Sequence, residues 1–306
     1  MHFNGVVFPG QGAQKLGMAK DFVAEYTESA EVFNKANEIL AFDINQVCNE
    51  DEALLNQTNY TQPCILTTEI AMFSALKAHH NFNPNLFAGH SLGEYAALVA
   101  AEVLPFERAL EIVARRGELM NQANEEGAMA AVIMDMIDLH IIGKIAADYD
   151  IDIANDNSAQ QVVLSGRKAD LDNTLEALAQ QFVGQSFRAV PLTVSAAFHS
   201  RWMAPVEAEF HNFLQDFMAD INTENLPKVA SNFLGEFYQK DSQQLIDALA
   251  KQLSGTVQWR KNMELLKSCQ IIELGPNRPL RGFFKSIGVD ITSVINLKSA
   301  NKAFGL

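Results

Sequence analysis

The 306-residue chain reads as an α/β protein, a largely parallel sheet with helices between its strands and a small inserted subdomain of ferredoxin-like order. Three observations predict this. Short apolar runs rich in Val, Ile and Phe alternate with longer runs of helical period. Turn-forming clusters such as Pro9-Gly10-Gln11-Gly12 close the apolar runs. Over 126–191 the rhythm changes to strand, helix, strand, strand, helix, strand.

The elements follow in order. The first strand is Gly5-Val-Val-Phe8, and helical period then runs over 19–40 and 63–80. A strand is predicted at 86–88, with helices over 92–101 and 105–124. Pro105 suits a first turn, where its missing N–H would be unpaired in any case. The middle segment has strands at 128–134, 151–154, 161–164 and 185–190, with helices over 139–148 and 169–181. These bound a small subdomain at 126–191, leaving 1–125 and 192–306 to build one large domain. Beyond it, strands are predicted at 229–233, 271–274 and 292–295, with helices between them.

Composition narrows the class. A hydrophobic fraction of 48 % with 20 % charged residues supports a sizeable core. No apolar run approaches the roughly 18 residues that a membrane helix needs. The N-terminus lacks a basic stretch followed by a long apolar one, so no signal peptide is expected. Cys48, Cys64 and Cys269 are odd in number and widely spaced, which reads as reduced thiols rather than disulfides or metal ligands, and places the chain in the cytoplasm. A net charge of −14 argues against nucleic acid as the main partner. The charge is uneven: eight Lys/Arg against three acids make residues 256–306 +5, and the remainder −19. That basic stretch is either a solvated surface or a face for an acidic partner or a phosphorylated cofactor.

The chemistry centres on Gly89-His90-Ser91-Leu92-Gly93, set between apolar Leu86-Phe87-Ala88 and a helix-like run from Glu94. G-x-S-x-G is the pattern of a nucleophile elbow, a serine on a sharp strand-to-helix turn. Such a turn puts Ser91 at a helix N-terminus, where free N–H groups stabilise an oxyanion. A serine nucleophile needs a base. Of the seven histidines, His199 sits after a β-prone stretch at a predicted strand end, while the side chain of His90 would point away from Ser91. His199 is either a satisfied structural residue or the base. No acid between Ser91 and His199 sits at a strand end, so a Ser–His dyad fits better than a triad. Arg115 and Arg116 are adjacent in an apolar helical run, so at most one faces the core. A buried Arg there pairs with a structural carboxylate or with the carboxylate of a substrate.

Phe8-Pro-Gly-Gln-Gly12, Gly89-His-Ser-Leu-Gly-Glu94, Arg116-Gly117, Gly127-Ala-Met-Ala-Ala131, Phe198-His-Ser200 and Glu273-Leu-Gly-Pro276 occur in that order. With them the chain resembles the malonyl-CoA:acyl carrier protein transacylases, from Phe8 to about Ile287. The resemblance implies an α/β-hydrolase-like core with a ferredoxin-like insert. It implies Ser91 as nucleophile, His199 as base and acid, and the Gln11 and Leu92 N–H groups as oxyanion hole. Arg116 would bind the malonyl carboxylate and Gln252 would orient His199 through its carbonyl. Asn155 and Asn157 match a strand end that faces the cleft, with no part in the chemistry. The implied reaction is ping-pong, from coenzyme A to an acyl carrier protein docked on the basic C-terminal residues Arg278, Arg281 and Lys285. Neither a metal nor a resident cofactor is implied, since malonyl-CoA is a substrate.

Phe198 departs from the small polar residue of the best-known bacterial fatty-acid members. It resembles malonyl-selective acyltransferases of polyketide synthases, where the ring crowds the space of an α-methyl group. Both pathways stay open. The rival reading is a hydrolase of the same fold that clears carrier-bound acyl groups, and Arg116 argues against it, because a site for uncharged acyl chains would be apolar there.

Overall fold

Eight strands, β1 (Gly5–Phe8), β2 (Leu86–Gly89), β3 (Gly127–Met134), β4 (Asp152–Ser158), β5 (Gln161–Arg167), β6 (Phe187–Pro191), β7 (Ile271–Leu274) and β8 (Thr292–Val294), form two sheets among the described residues of the computed structural model, which are 3–123, 127–194 and 196–305. The first sheet is wholly parallel, in the order β2-β1-β7-β8. β1 and β7 are buried at every position, as expected of parallel strands covered on both faces.

The second sheet is antiparallel, in the order β4-β5-β3-β6, the ferredoxin-like arrangement. Its side chains alternate with the period of two that a strand imposes. Ala130 and Val132 of β3 pack with Leu164, Ile142 and Leu178 under helices Leu139–Ala147 and Lys168–Gln181. Met129 and Ala131 point the other way and join the main core. The outer end of β4 is tied to the large sheet's side of the molecule: Val257 N–H donates to Ala154 O at 2.8 Å, and Asp156 N–H to Val257 O at 3.0 Å. The predicted boundary at 125/126 lies outside the described residues.

Several helices differ from the periodicity. The run 19–40 divides into Lys20–Glu25 and Thr27–Ile39 because Tyr26 is extended, at φ −120° and ψ 127°. The next helix starts at Thr58 rather than at Pro63, which lies inside it and removes one backbone bond. The extra turns are held by tertiary contact, since a Cβ on Gly117 would lie 3.0 Å from Asn59 Cα. Pro105 stands before the helix Phe106–Gln122 as its cap and not in its first turn. Residues 229–233 are not a strand: Val229 and Ala230 make single bridges to Phe87 and Phe237, and the chain then bends. Short helices Ile44–Glu50 and Glu52–Leu55, capped by Asp43 and Asp51, have no counterpart in the expectations.

Helix Thr58–His79 is buried over most of its length, with Thr58, Thr61, Gln62, Thr67 and Thr68 buried among its apolar residues. It also carries Glu69, whose two oxygens are buried without a hydrogen-bond partner among the described residues. Burial raises the Glu69 carboxyl well above its ordinary value, and the nearby Glu273 raises it further. Glu273 itself is pushed up to about 7 by burial, although it accepts from Leu280 N–H at 2.7 Å and Ser293 Oγ at 2.9 Å. A carboxyl whose folded pKa lies above its unfolded one supports the fold fully below the unfolded value, and that support is lost as pH rises through the folded value. The melting temperature should therefore fall as pH is raised from about 5 to about 8. Glu69→Gln should flatten that slope and melt higher at pH 8. Equal slopes for variant and wild type in a pH series of thermal melts would refute this account.

Candidate active site

β2 runs into helix Gly93–Ala100 through a turn in which no side chain would fit at Gly89 or Gly93, two residues to either side of Ser91. A Cβ on Gly89 would lie 1.9 Å from the carbonyl carbon of Gly93, and one on Gly93 would lie 2.2 Å from Phe8 O. The turn forces Ser91 to φ 52°, in the left-handed region that an L-residue adopts only under constraint. The constraint is Asn232: its Oδ1 accepts from Ser91 N–H at 2.6 Å, and its Nδ2 donates to Gly89 O at 2.6 Å.

His199 is also at positive φ, 57°, and is buried. Its Nε2 is 2.9 Å from Ser91 Oγ, and its Nδ1 is 2.6 Å from the main-chain carbonyl of Gln252. A carbonyl only accepts, so Nδ1 carries the proton and Nε2 is free to accept from Ser91. Burial, helped by the Arg116 charge, lowers the His199 pKa to about 3. The imidazole is thus neutral at any physiological pH.

Arg116 is only 1 % exposed, while Arg115 faces outward and pairs with Glu118 and Glu209. No carboxylate touches the Arg116 guanidinium among the described residues. Its Nη1 donates to Gln62 Oε1 at 2.7 Å, and its Nη2 donates to Gln252 Oε1 at 2.9 Å and to Ser91 Oγ at 3.1 Å. The Tyr95 ring lies 5.6 Å away, and Nε has no partner among the described residues. A buried cation held by neutral amides and beside a serine is an open receptor for an anion.

These groups line a cavity of about 300 Å³. Gln11 borders it, and the Gln11 and Leu92 N–H groups donate to no acceptor among the described residues. Phe198, Met120 and Met129 form its apolar wall. Asn155 and Asn157 line it too, and Asn157 Oδ1 is 2.7 Å from His90 Nε2, which holds the His90 ring off to one side of Ser91. Leu280 and Phe283 of helix Leu280–Ser286 close one side, while Arg278, Arg281 and Lys285 line the adjoining open groove. The structure thus gathers Ser91, His199, Arg116, Gln11 and Phe198 around one cavity; Leu92 follows Ser91 in the turn without lining it, and Gln252 meets His199 through its main chain.

Four further residues were not legible as site residues: Gln62, Glu94, Asn232 and Tyr238. Glu94 carried one signal, being a lone charge at the head of the apolar run Tyr95–Ala101. The other three carry none, because long-range folding alone brings them to the elbow.

A serine on a strained strand-to-helix turn, hydrogen-bonded to a neutral histidine, is the arrangement of a serine-dependent acyl-transfer site. The chain belongs to the acyl transferase domain family, whose model matches residues 6–267. It is 37 % identical to the malonyl CoA-acyl carrier protein transacylase of Staphylococcus aureus strain MSSA476, over 97 % of each chain. The malonyl CoA-acyl carrier protein transacylase of Clostridium perfringens ATCC 13124 superposes with a TM-score of 0.89 at 35 % identity, covering 98 % of this chain and 96 % of the other. A malonyl-transacylase solved in complex with its type II polyketide acyl carrier protein gives a TM-score of 0.91 at 30 % identity, covering 100 % of this chain and 99 % of the other.

Two outcomes follow from the geometry. Gly89→Ala should cost about 4 kcal/mol or more, since backbone meets backbone and nothing flexible can yield; recovery of a soluble variant melting near the wild type would contradict it. In ¹⁵N NMR of Ser91→Ala, the His199 ring should stay neutral down to pH 5, and Arg116→Ala should raise its titration midpoint.

Proposed function

We propose that this protein transfers a malonyl group from coenzyme A to the phosphopantetheine thiol of an acyl carrier protein, through a malonyl ester on Ser91. The observation that carries this reading is the buried Arg116 guanidinium, 3.1 Å from the Ser91 hydroxyl and free of any carboxylate among the described residues. A malonyl thioester bound with its free carboxylate on Arg116 has its carbonyl carbon within reach of Ser91. Acetyl-CoA lacks the carboxylate and leaves the cation unpaired.

Ser91 Oγ attacks the thioester carbon as His199 Nε2 takes the hydroxyl proton. The Gln11 and Leu92 N–H groups stabilise the tetrahedral oxyanion, each donor being worth about 3 kcal/mol or more. Collapse breaks the C–S bond, and His199 returns the proton to the departing coenzyme A sulfur. The carrier-protein thiol then enters, gives its proton to His199, and takes the malonyl group as Ser91 is reprotonated. The hydrogen bond from Nδ1 to Gln252 O holds the ring in the tautomer that both halves require. The ring of Phe198 in the acyl wall disfavours an α-methyl group, so methylmalonyl-CoA is a poor donor. Carrier-protein docking falls to Arg278, Arg281 and Lys285, which flank the cavity and suit an acidic partner. No helix among the described residues is long and apolar enough to cross a membrane, and the three cysteines are free, which supports a role in the reducing cytoplasm.

Intact-mass measurement after brief mixing with malonyl-CoA should show one malonyl adduct, absent in Ser91→Ala. Arg116→Ala should lower malonyl loading by about 100-fold or more relative to acetyl loading. Equal labelling of the wild type by acetyl-CoA, or loss of the adduct to water faster than to the carrier thiol, would overturn the reading. Charge reversal at Arg281 should slow transfer to carrier protein more than loading from malonyl-CoA; an equal fall in both would place docking elsewhere.

A further inference from the structure

The transfer chemistry makes no use of Glu94, yet this carboxyl lies at the junction of everything that does react. It is fully buried in the first turn of the elbow helix. It accepts from Tyr238 Oη at 2.5 Å, from Gln252 Nε2 at 2.5 Å and from the Asn232 main-chain N–H at 3.3 Å to each oxygen. Both amide residues it touches act on the site. Asn232 clamps Ser91 and Gly89, as described above. The Gln252 side chain reaches three groups at once: its Nε2 donates to Glu94 and to Ser91 O at 3.1 Å, and its Oε1 accepts from Arg116 at 2.9 Å.

An amide side chain has a donor end and an acceptor end, and nothing in Gln252 itself says which faces the arginine. A guanidinium has only donors, so a flipped amide would set N–H against N–H beside a buried cation. The Glu94 oxygen and the Ser91 carbonyl both accept from the NH₂ end and so oppose that flip. The oxygen is left to face Arg116.

Resting on the acyl-transfer reading, we propose that Glu94 is a positioning residue for substrate selection: it sets the polarity of the Gln252 amide and so holds the Arg116 guanidinium for the malonyl carboxylate. The role is exerted through Gln252, across one side chain, and not by contact with substrate. Glu94→Gln keeps the shape but removes the shorter of the two acceptors of the Gln252 NH₂ end, so the amide is held less firmly and the preference for a carboxylate-bearing acyl group falls.

The test is pre-steady-state loading of the full chain with malonyl-CoA and acetyl-CoA, read by intact mass. For Glu94→Gln the malonyl-to-acetyl ratio of kcat/KM should fall about 10-fold, the loss of one buried charge-assisted contact, and should fall mostly in KM for malonyl-CoA. A residue that merely supports the fold would depress both substrates together and leave the ratio standing. Gln252→Ala keeps the carbonyl that holds His199 and removes the transmitting amide. It should lower the same ratio, and adding Glu94→Gln to it should change the ratio by less than about twofold, as coupled sites do. An unchanged ratio in either single variant, or additive effects in the double one, overturns the proposal. If Glu94→Gln does not fold, an unchanged ratio in Gln252→Ala still overturns the proposal. Failure of the wild type to take a malonyl label would instead sink the acyl-transfer reading itself.

Discussion

A serine can be held at φ 52° only where the backbone around it has no room to relax, and here that room is taken by other backbone. The elbow is wedged on β1: a side chain on Gly93 would strike Phe8 O, and one on Gly10 would lie 2.4 Å from His90 O. The two segments that meet there, the turn after β1 and the elbow that joins β2 to its helix, lie some eighty residues apart in the chain. Their approach depends on the parallel pairing of β1 with β2, residue for residue from Gly5–Leu86 to Phe8–Gly89. The same close packing brings Gln11 to the cavity that holds Ser91. Strain at Ser91 and the close approach of these segments are thus one structural fact, and Asn232 keeps it in place from a segment 141 residues further on.

Electrostatics follow from burial. Arg116 lies among neutral amides and a tyrosine ring, His199 is held uncharged, and the nearest counter-charge, Glu94, sits behind Gln252 and is itself pushed up to about 7 by burial. Desolvation works against every one of these charges, and a low local dielectric magnifies what they feel from one another. Burial and the Arg116 field together hold down the His199 proton affinity, and the same cation has only neutral amides and the Ser91 hydroxyl as hydrogen-bond partners among the described residues. A carboxylate placed directly on Arg116 would satisfy it permanently and close the site. Amides hold the side chain in position while leaving its charge unpaired.

The two sheets divide the remaining labour. The parallel sheet positions the elbow, and the antiparallel sheet turns the Met129 and Ala131 face of β3 toward the cavity while its other face buries two helices. Helix Leu280–Ser286 does something similar at the rim, with Leu280 and Phe283 inward and Arg281 and Lys285 on the neighbouring groove. Glu273 accepts the first N–H of that helix from the end of β7, so the rim is anchored to the sheet that carries the elbow.

What the sequence determined by itself was everything local in cause. Hydrophobic period placed all eight strands, with one more at 229–233 that does not form, and most of the helices, and the order strand-helix-strand-strand-helix-strand identified the antiparallel unit. The glycine spacing around Ser91 announced the elbow, because a turn that excludes Cβ atoms leaves its mark on adjacent positions. Adjacent arginines in an apolar helix meant that one was buried, and Arg116 is. Ordered motifs then named the partners. Tertiary structure alone decided the rest. Residues 229–233 have strand propensity, but the chain bends so that Asn232 can reach Ser91, and no local signal records a hydrogen bond made 141 residues away. Pro63 lies within a helix because the turn before it packs on Gly117. Whether buried Arg116 met a structural carboxylate or waited for one could not be read from its neighbours in sequence, since the answer lay in Gln62 and Gln252, on segments brought together only by folding. Amide polarity, burial and charge separation are properties of assembled surroundings, which no run of neighbouring residues records.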